Sequence, residues 1–412
     1  MSTTSVTPEH TGVERPDPDE VFRIAEALVP TLAARAADAE QQRKLPDETV
    51  KDLEASGLLS VCNPRSAGGW GYGIRELGNV SRILAQGCAS TAWVYHFFVI
   101  HQLQLLTMNE EGQQELLGGR KVSLAASTAG FHAAGSGTAI PVDGGWRLTG
   151  KWPFASGIMN SDWVYVVTWE PQAEGDPRII GLVLKVDEVD VEDMWHFSGL
   201  KATGSNTLSC EDLFVPARRE WLPPITPPVE GAPPRTQEEI ADCPLDKVSQ
   251  LRLSDIMLPS VSLGAAEAAL ALFKQKMHKR IIAFGGGPQI DHREAWSRFA
   301  EAFAYVRLAR LMWDSNVDLL TEVIQSGGPA PLETAAILRL GGPRISRLAR
   351  DAVLTIMDGA GSSVHHLSDP LQRIQRDIDV VKSHNYQHWD GASTQAGHAL
   401  LGLDEPSWLL TF

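Results

Sequence analysis

The run Leu148-Thr149-Gly150-Lys151-Trp152-Pro153-Phe154-Ala155-Ser156-Gly157-Ile158-Met159-Asn160-Ser161-Asp162-Trp163 sets aromatics, a hydroxyl and a glycine between two stretches with strand character. Upstream, an Asp-Gly turn at Asp143-Gly144 opens Gly145-Trp146-Arg147-Leu148, which reads as a short strand. Downstream, Trp163 to Trp169 is rich in the β-branched and aromatic residues that strands favour. The intervening segment is expected to be exposed at a strand end. There Trp152 and Phe154 offer apolar faces, and Ser156, beside the permissive Gly157, offers a hydroxyl and nearby N–H groups to a flat heterocycle. The alternative is a hairpin whose aromatics plug a core.

Outward from this turn, Lys121 to about Arg219 consists of short β-branched runs separated by Gly, Asp and Pro, a β-domain set between helical parts. Before it, Asp17-Pro18-Asp19-Glu20 is a helix start with Val21, Ile24, Ala25 and Leu28 on one face. A second helix runs from near Pro46 to Gly57, and Ile74 to about Glu115 is helical and apolar on nearly all sides, the mark of an interior helix. The glycine-rich Asn63-to-Gly71 loop lacks the flanking strand and helix of a dinucleotide site. Trp221 to Asp246, with three Pro-Pro pairs, is expected to be an ordered loop or a mobile lid. Four amphipathic helices follow, Leu251–Ile282, His292–Ser326, Leu332–Asp358 and Leu371–His388, and make an antiparallel bundle. The expected fold is α+β, mainly α. Its parts are an N-terminal helical domain (15–120), a central β-barrel-like domain (121–220), a Pro-rich loop or lid (221–246) and a C-terminal four-helix bundle (247–404).

A chain of 412 residues, 43% hydrophobic, can bury a large core. Its net charge of -15 argues against nucleic acid or an anionic membrane as partner. The four cysteines, Cys62, Cys88, Cys210 and Cys243, show no Cys-x-x-Cys spacing, so reduced thiols are expected rather than disulfides or zinc. No apolar run reaches the roughly 18 residues of a membrane span, and a cytoplasmic protein is expected. Among the 12 histidines, His384 and His388 read as one helical turn apart, but no carboxylate completes a His-Glu-x-x-His pattern and no metal is expected.

Trp152-Pro153-Phe154-Ala155-Ser156-Gly157, then Trp195, then Gly204-Ser205-Asn206-Thr207 before Val215-Pro216 resemble the acyl-CoA dehydrogenase fold. More narrowly, the order of motifs from about Val21 to Leu403 resembles that fold's branch of two-component flavin-dependent monooxygenases. That branch includes the p-hydroxyphenylacetate, steroid and polyketide hydroxylases, the dibenzothiophene monooxygenase and amino-sugar N-oxygenases. The resemblance implies reduced FMN or FAD, molecular oxygen as co-substrate, a separate NAD(P)H-dependent flavin reductase and a homotetramer. The absence of a Gly-x-Gly-x-x-Gly nicotinamide site agrees with the separate reductase. The implied reaction is hydroxylation of an aromatic or polycyclic small molecule through a flavin C4a-hydroperoxide, which must be kept dry. Nitrogen or sulfur oxidation is the variant within the same branch.

By the same resemblance, Ser156 is the hydroxyl near flavin N5, with Trp152 and Phe154 lining the ring. Its structural alternative is a turn serine satisfying the backbone. Arg280 with Phe284-Gly285 resembles the segment that reaches the cofactor from a neighbouring subunit, and Ser362 and Ser363 the turn that closes over the flavin. Arg280 is equally readable as a solvated helix-end cation. His384 resembles the histidine that follows the branch's Leu-Gln-Arg-x-x-Arg-Asp run, here Leu371 to Asp377, and imidazole can exchange a proton near neutral pH. Arg376-Asp377 reads as a structural charge pair. His101 stands at the spacing of a substrate-side histidine, ahead of His96, which sits on another helix face. Trp93 and Phe97 line the substrate, as does Ser127, with His132 the alternative in an ambiguous insertion. An acyl-CoA dehydrogenase needs a carboxylate base, and Trp389-Asp390-Gly391-Ala392 offers only Asp390, leaving His384 without a task. A scaffold without catalysis is the third reading.

Overall fold

The computed structural model describes residues 15–128, 137–223, 235–282 and 286–403. Helices α1 (Pro18–Gln42), α2 (Asp47–Ala55), α3 (Ile74–Gly87), α4 (Ala89–Leu105) and α5 (Glu110–Leu117) come first. The Asp17 carboxylate accepts from the N–H groups of Asp19 and Glu20 and Pro18 opens the first turn, so α1 starts where the sequence places it. Its apolar stripe, Val21, Ala25, Leu32 and Ala36, is buried. In α4 every residue but Phe97 is buried, and this helix runs through the interior.

The middle of the chain is one eight-stranded sheet: β1 (Ala125–Ser127), β2 (Gly137–Val142), β3 (Gly145–Ala155), β4 (Trp163–Glu170), β5 (Arg178–Lys185), β6 (Asp190–Glu192), β7 (Asn206–Pro216) and β8 (Glu220–Trp221). The order is β6-β7-β3-β2-β4-β5-β8, with β1 parallel to β4. The sheet is open and not closed into the expected barrel.

The strand before Ser156 is longer than the sequence reading allowed, an unbroken run from Gly145 to Ala155. Alternation sends Trp146, Leu148 and Trp152 to the core side of β3 while Arg147, Thr149 and Lys151 face out. Register shifts against β7, between Leu148 and Gly150 and again between Trp152 and Ala155, bend the strand end. Phe154 sits at this second irregularity with φ 64° and turns its ring outward, 48% exposed.

After a short α6 (Gln237–Asp242), the bundle is formed by α7 (Gln250–Lys279), α8 (Arg293–Ser326), α9 (Leu332–Ala360), α10 (Pro370–Val381) and α11 (Trp389–Leu400). Helix α7 is long and apolar enough to cross a membrane by length and composition alone, yet 72% of its most apolar window is buried within the protein. The expected fourth bundle helix, Leu371–His388, is shorter than the sequence reading has it. It stops at Val381, and the connection through Asn385–Gln387 turns the chain before α11. His384 accepts from the Tyr386 N–H and His388 from the Gly391 N–H through their Nδ1 atoms, so each caps a turn and they do not share a helical face. Arg339 of α9, itself buried, fastens this connection by donating to the Tyr386 carbonyl at 2.6 Å. Of the Pro-rich loop, residues 224–234 lie outside the described residues.

Candidate functional site: a cavity between the sheet and the bundle

A cavity of about 700 Å³ opens where α4, the end of β3, the Trp195–Leu200 segment and the α10–α11 connection meet. Trp93 and Phe97 form one wall, Phe154, Trp195 and Phe197 a second, and His384 with Tyr386 a third; Ser127, Ser156 and Ser205 also line it. The indoles and phenyl rings lean on one another. Trp195 and Phe197 stack at 3.9 Å between centroids, and Phe154 meets both edge-on.

The Trp195–Leu200 segment is held in place from α10. Arg376 donates to the Ser198 carbonyl and pairs with Glu40 at 2.6 Å, while Asp377 accepts from the Leu200 N–H at 2.7 Å. The adjacent Arg376 and Asp377 thus serve different partners instead of pairing with each other. Gly199 is required by proximity, because a Cβ there would fall 2.1 Å from the Arg376 carbonyl oxygen.

Ser156 is placed by the turn that follows β3. Gly157 at φ 80° donates its N–H to the Thr203 carbonyl at 2.7 Å, and a Cβ on it would meet Val94 at 2.9 Å and Phe98 at 3.1 Å. The close seat against α4 brings the Trp93 indole N–H to Ser156 Oγ at 3.1 Å. Ser156 Oγ lies 2.8 Å from Ser205 Oγ, which lies 2.7 Å from Thr203 Oγ1, whose hydroxyl donates to the Leu200 carbonyl at 2.8 Å.

On the other side of Trp93, the His384 ring meets the indole edge-on at 5.4 Å. Burial pushes its pKa down to about 4, so it is neutral at pH 7. Because its Nδ1 accepts from Tyr386, the proton of the neutral ring is on Nε2, and His384 offers a donor on the cavity wall.

His101 stands behind Phe97 and not on the cavity wall. Its Nδ1–H donates to the Ala125 carbonyl at 2.6 Å, and its Nε2 is buried without a partner. Burial pushes its pKa to about 4, against the opposing pull of that carbonyl. The bond ties α4 to β1, whose Ser127 does face the cavity. His96 is fully buried, both ring nitrogens lack partners, and burial, reinforced by His101 and His384, takes it down to about 3.

Trp152 is corrected. It is fully enclosed in the sheet core, its indole N–H spent on the Val167 carbonyl at 3.0 Å, because an even separation from Leu148 points it inward. Arg280, Ser362 and Ser363 do not line the cavity. Arg280 donates to the Gly359 carbonyl at 2.7 Å, and both serines are exposed at the end of α9. Phe284 and His132 lie outside the described residues. Asp390 is exposed on α11 and absent from the lining, whose carboxylate, Asp379, is ion-paired with Arg350 at 2.6 Å. Among the described residues no group of three His, Cys, Asp or Glu can hold a metal.

The sequence reading missed the work of Ser205 and Thr203, although Gly204-Ser205-Asn206-Thr207 had marked their turn. Arg339 was missed because its role depends on a contact 47 positions away. Beside its aromatic walls the cavity carries several hydroxyls, the His384 imidazole, the Arg339 guanidinium and the Asp379 carboxylate, a lining that suits a flat conjugated ring with a polar edge.

The chain matches the acyl-CoA dehydrogenase N-terminal domain over residues 19–119 and the acyl-CoA dehydrogenase C-terminal domain over residues 256–389. It is 30% identical over 402 residues to the FADH(2)-dependent resorcinol hydroxylase, oxygenase component, of a Rhizobium species, covering 93% of this chain and 94% of that one. XiaF from Streptomyces, solved with FADH2 and glycerol, superposes with a TM-score of 0.84 at 27% identity, over 95% of this chain and 96% of that one. The HsaA monooxygenase from Mycobacterium tuberculosis gives 0.82 at 25% identity, over 96% and 100%. Together with a cavity from whose lining Asp390 is absent, these matches make the chain a member of the acyl-CoA dehydrogenase-fold flavin-dependent monooxygenases, as the oxygenase component.

Proposed function

We propose that this oxygenase component hydroxylates a phenolic or polycyclic aromatic molecule held against Trp93 and Phe97, between Ser156 and His384. The carrying observation is that Trp93 touches both polar groups, donating to Ser156 through Nε1 and packing on His384. Relatives named for resorcinol and for p-hydroxyphenylacetate support a phenol. Oxygenase components of two-component systems imply a separate flavin reductase, and FAD is the proposed flavin because similar proteins are named with FADH2.

Bound reduced flavin supplies the electrons that let triplet oxygen react with a closed-shell molecule. The chain's own residues do the rest. The Trp195, Phe197 and Phe154 cluster excludes water at the mouth, and Ser156 fixes the polar edge of the ring system. His384 donates a hydrogen bond from Nε2 to an oxygen atom in the cavity and stays neutral while doing so. His101 is a positioning residue that holds β1 and therefore Ser127.

A homotetramer is part of the reading. Arg280, Ser362 and Ser363 do not line this chain's cavity, as expected of groups serving a neighbour's flavin. Helix α8 also leaves Phe303, Leu308, Leu311 and Met312 exposed, large apolar side chains suited to a second copy.

The test is a reconstituted reaction with a flavin reductase, NADH, FAD and a panel of phenols, scored by addition of one oxygen atom and by peroxide release. His384→Ala should leave FAD binding within about twofold while product gives way to peroxide. Undiminished product in that variant would remove His384 from the mechanism.

A further inference from the structure

The hydrogen bonds around Ser156 form a chain with a direction. At one end is an indole N–H, which only donates; at the other is the Leu200 carbonyl, which only accepts. Each of the three hydroxyls between them has one proton. Thr203 must spend its proton on Leu200, since two oxygens 2.8 Å apart repel unless a proton lies between them. Thr203 therefore accepts from Ser205 at 2.7 Å, and Ser205 in turn accepts from Ser156 at 2.8 Å. With the Trp93 N–H already on Ser156 Oγ, the seryl group has no proton left for a ligand. It has one lone pair.

We propose that Ser205 and Thr203 are positioning residues that lock the Ser156 hydroxyl as an acceptor, so that the cavity selects the reduced flavin by the proton on its N5. This rests on the proposed placement of the flavin edge at Ser156. In the reduced ring N5 carries a hydrogen and donates to the waiting lone pair. In the oxidised ring N5 is itself a lone pair, and it meets an oxygen that cannot turn its proton toward it without breaking the chain. Thr203 is 1% exposed and does not line the cavity, so solvent does not readily supply it a substitute partner. The device favours arrival of reduced flavin and departure of oxidised flavin at the same contact.

The test compares dissociation constants for oxidised FAD and for anaerobically reduced FAD, by fluorescence and ultrafiltration, in the full-length protein and three variants. Ser205→Ala removes the acceptor of the Ser156 proton, which is then free to turn toward oxidised N5. Affinity for oxidised FAD should rise, and the preference for the reduced form should fall about tenfold, the worth of one hydrogen bond. Thr203→Val, nearly isosteric, should move the ratio the same way by less, because Ser205 can then reverse. Ser156→Ala should weaken reduced FAD most.

If Ser156→Ala changes binding while Ser205→Ala and Thr203→Val, folded as judged by circular dichroism and melting, leave the ratio within twofold, the directional lock is wrong and the placement of the ring stands. If Ser156→Ala changes neither constant, the ring is not at Ser156, and both the placement and the lock fall.

Discussion

The Trp93 indole N–H donates to Ser156 Oγ at 3.1 Å, joining the interior helix α4 to the turn after β3 across 63 positions of sequence. The same indole packs on His384, so one side chain sets the spacing between a hydroxyl and an imidazole that come from the sheet and the bundle. Trp93→Phe keeps most of the apolar wall and removes the donor. It should cost about 1 kcal/mol of stability and raise the share of reduced flavin lost as peroxide. Denaturant titration and a peroxide assay check the two outcomes separately.

Gly157 tests how tightly that turn is seated. Alanine there would carry a left-handed φ and press its Cβ on Val94 and Phe98, at 2.9 and 3.1 Å before relaxation. A loss of about 1–3 kcal/mol is expected, with weakened FAD binding because Ser156 moves with the turn. Unchanged stability with unchanged binding would mean the turn has slack that the packing does not show.

The buried imidazoles give a pH dependence with a definite sign. His96, His101 and His384 are pushed down to about 3, 4 and 4, below their free value. The folded protein then keeps them neutral where the unfolded chain binds protons. The stability they contribute is present above about pH 6.5 and is lost as the pH falls through the unfolded value toward 4. Asp377 works in the opposite sense. Burial raises it to about 6, so its contribution falls as pH rises from the free carboxylate range to 6. A variant comparison separates them: His96→Phe should flatten the slope and recover about 2 kcal/mol at pH 5 relative to its effect at pH 8. Parallel stability curves for the two proteins would contradict this.

The sequence disclosed the elements whose chemistry is local. Asp17-Pro18 marks a helix start, α4 is apolar on all sides, and Ser156-Gly157 reads as a turn because a hydroxyl beside glycine is legible without tertiary structure. What it misplaced depends on register and long-range contact. A strand read as ending at Leu148, seven residues short of its end at Ala155, leaves Trp152 free for the ring, and alternation through the full strand turns it inward. Nothing in Leu371–His388 forbids a helix, so the sequence alone sets His384 inside one. Beyond the break the connection is held from α9, where Arg339 donates to the Tyr386 carbonyl. The hydroxyl chain through Ser205 and Thr203 depends on two loops meeting, and no spacing rule reports that.

Asp390 separates the enzyme classes. Exposed on α11, it should be replaceable by asparagine with product formation within about twofold, whereas a dehydrogenase would lose its base and nearly all activity. Steady-state rates for phenol hydroxylation and for acyl-CoA-dependent flavin reduction distinguish the two.

The most direct measurement is a crystal structure of the protein with reduced FAD, grown without oxygen. The account predicts the flavin ring against the aromatic mouth, its N5 within hydrogen-bond reach of Ser156 Oγ, with the space beside Trp93 and His384 left for substrate. A ring bound elsewhere, with Ser156 and His384 on neither side of it, would contradict the account.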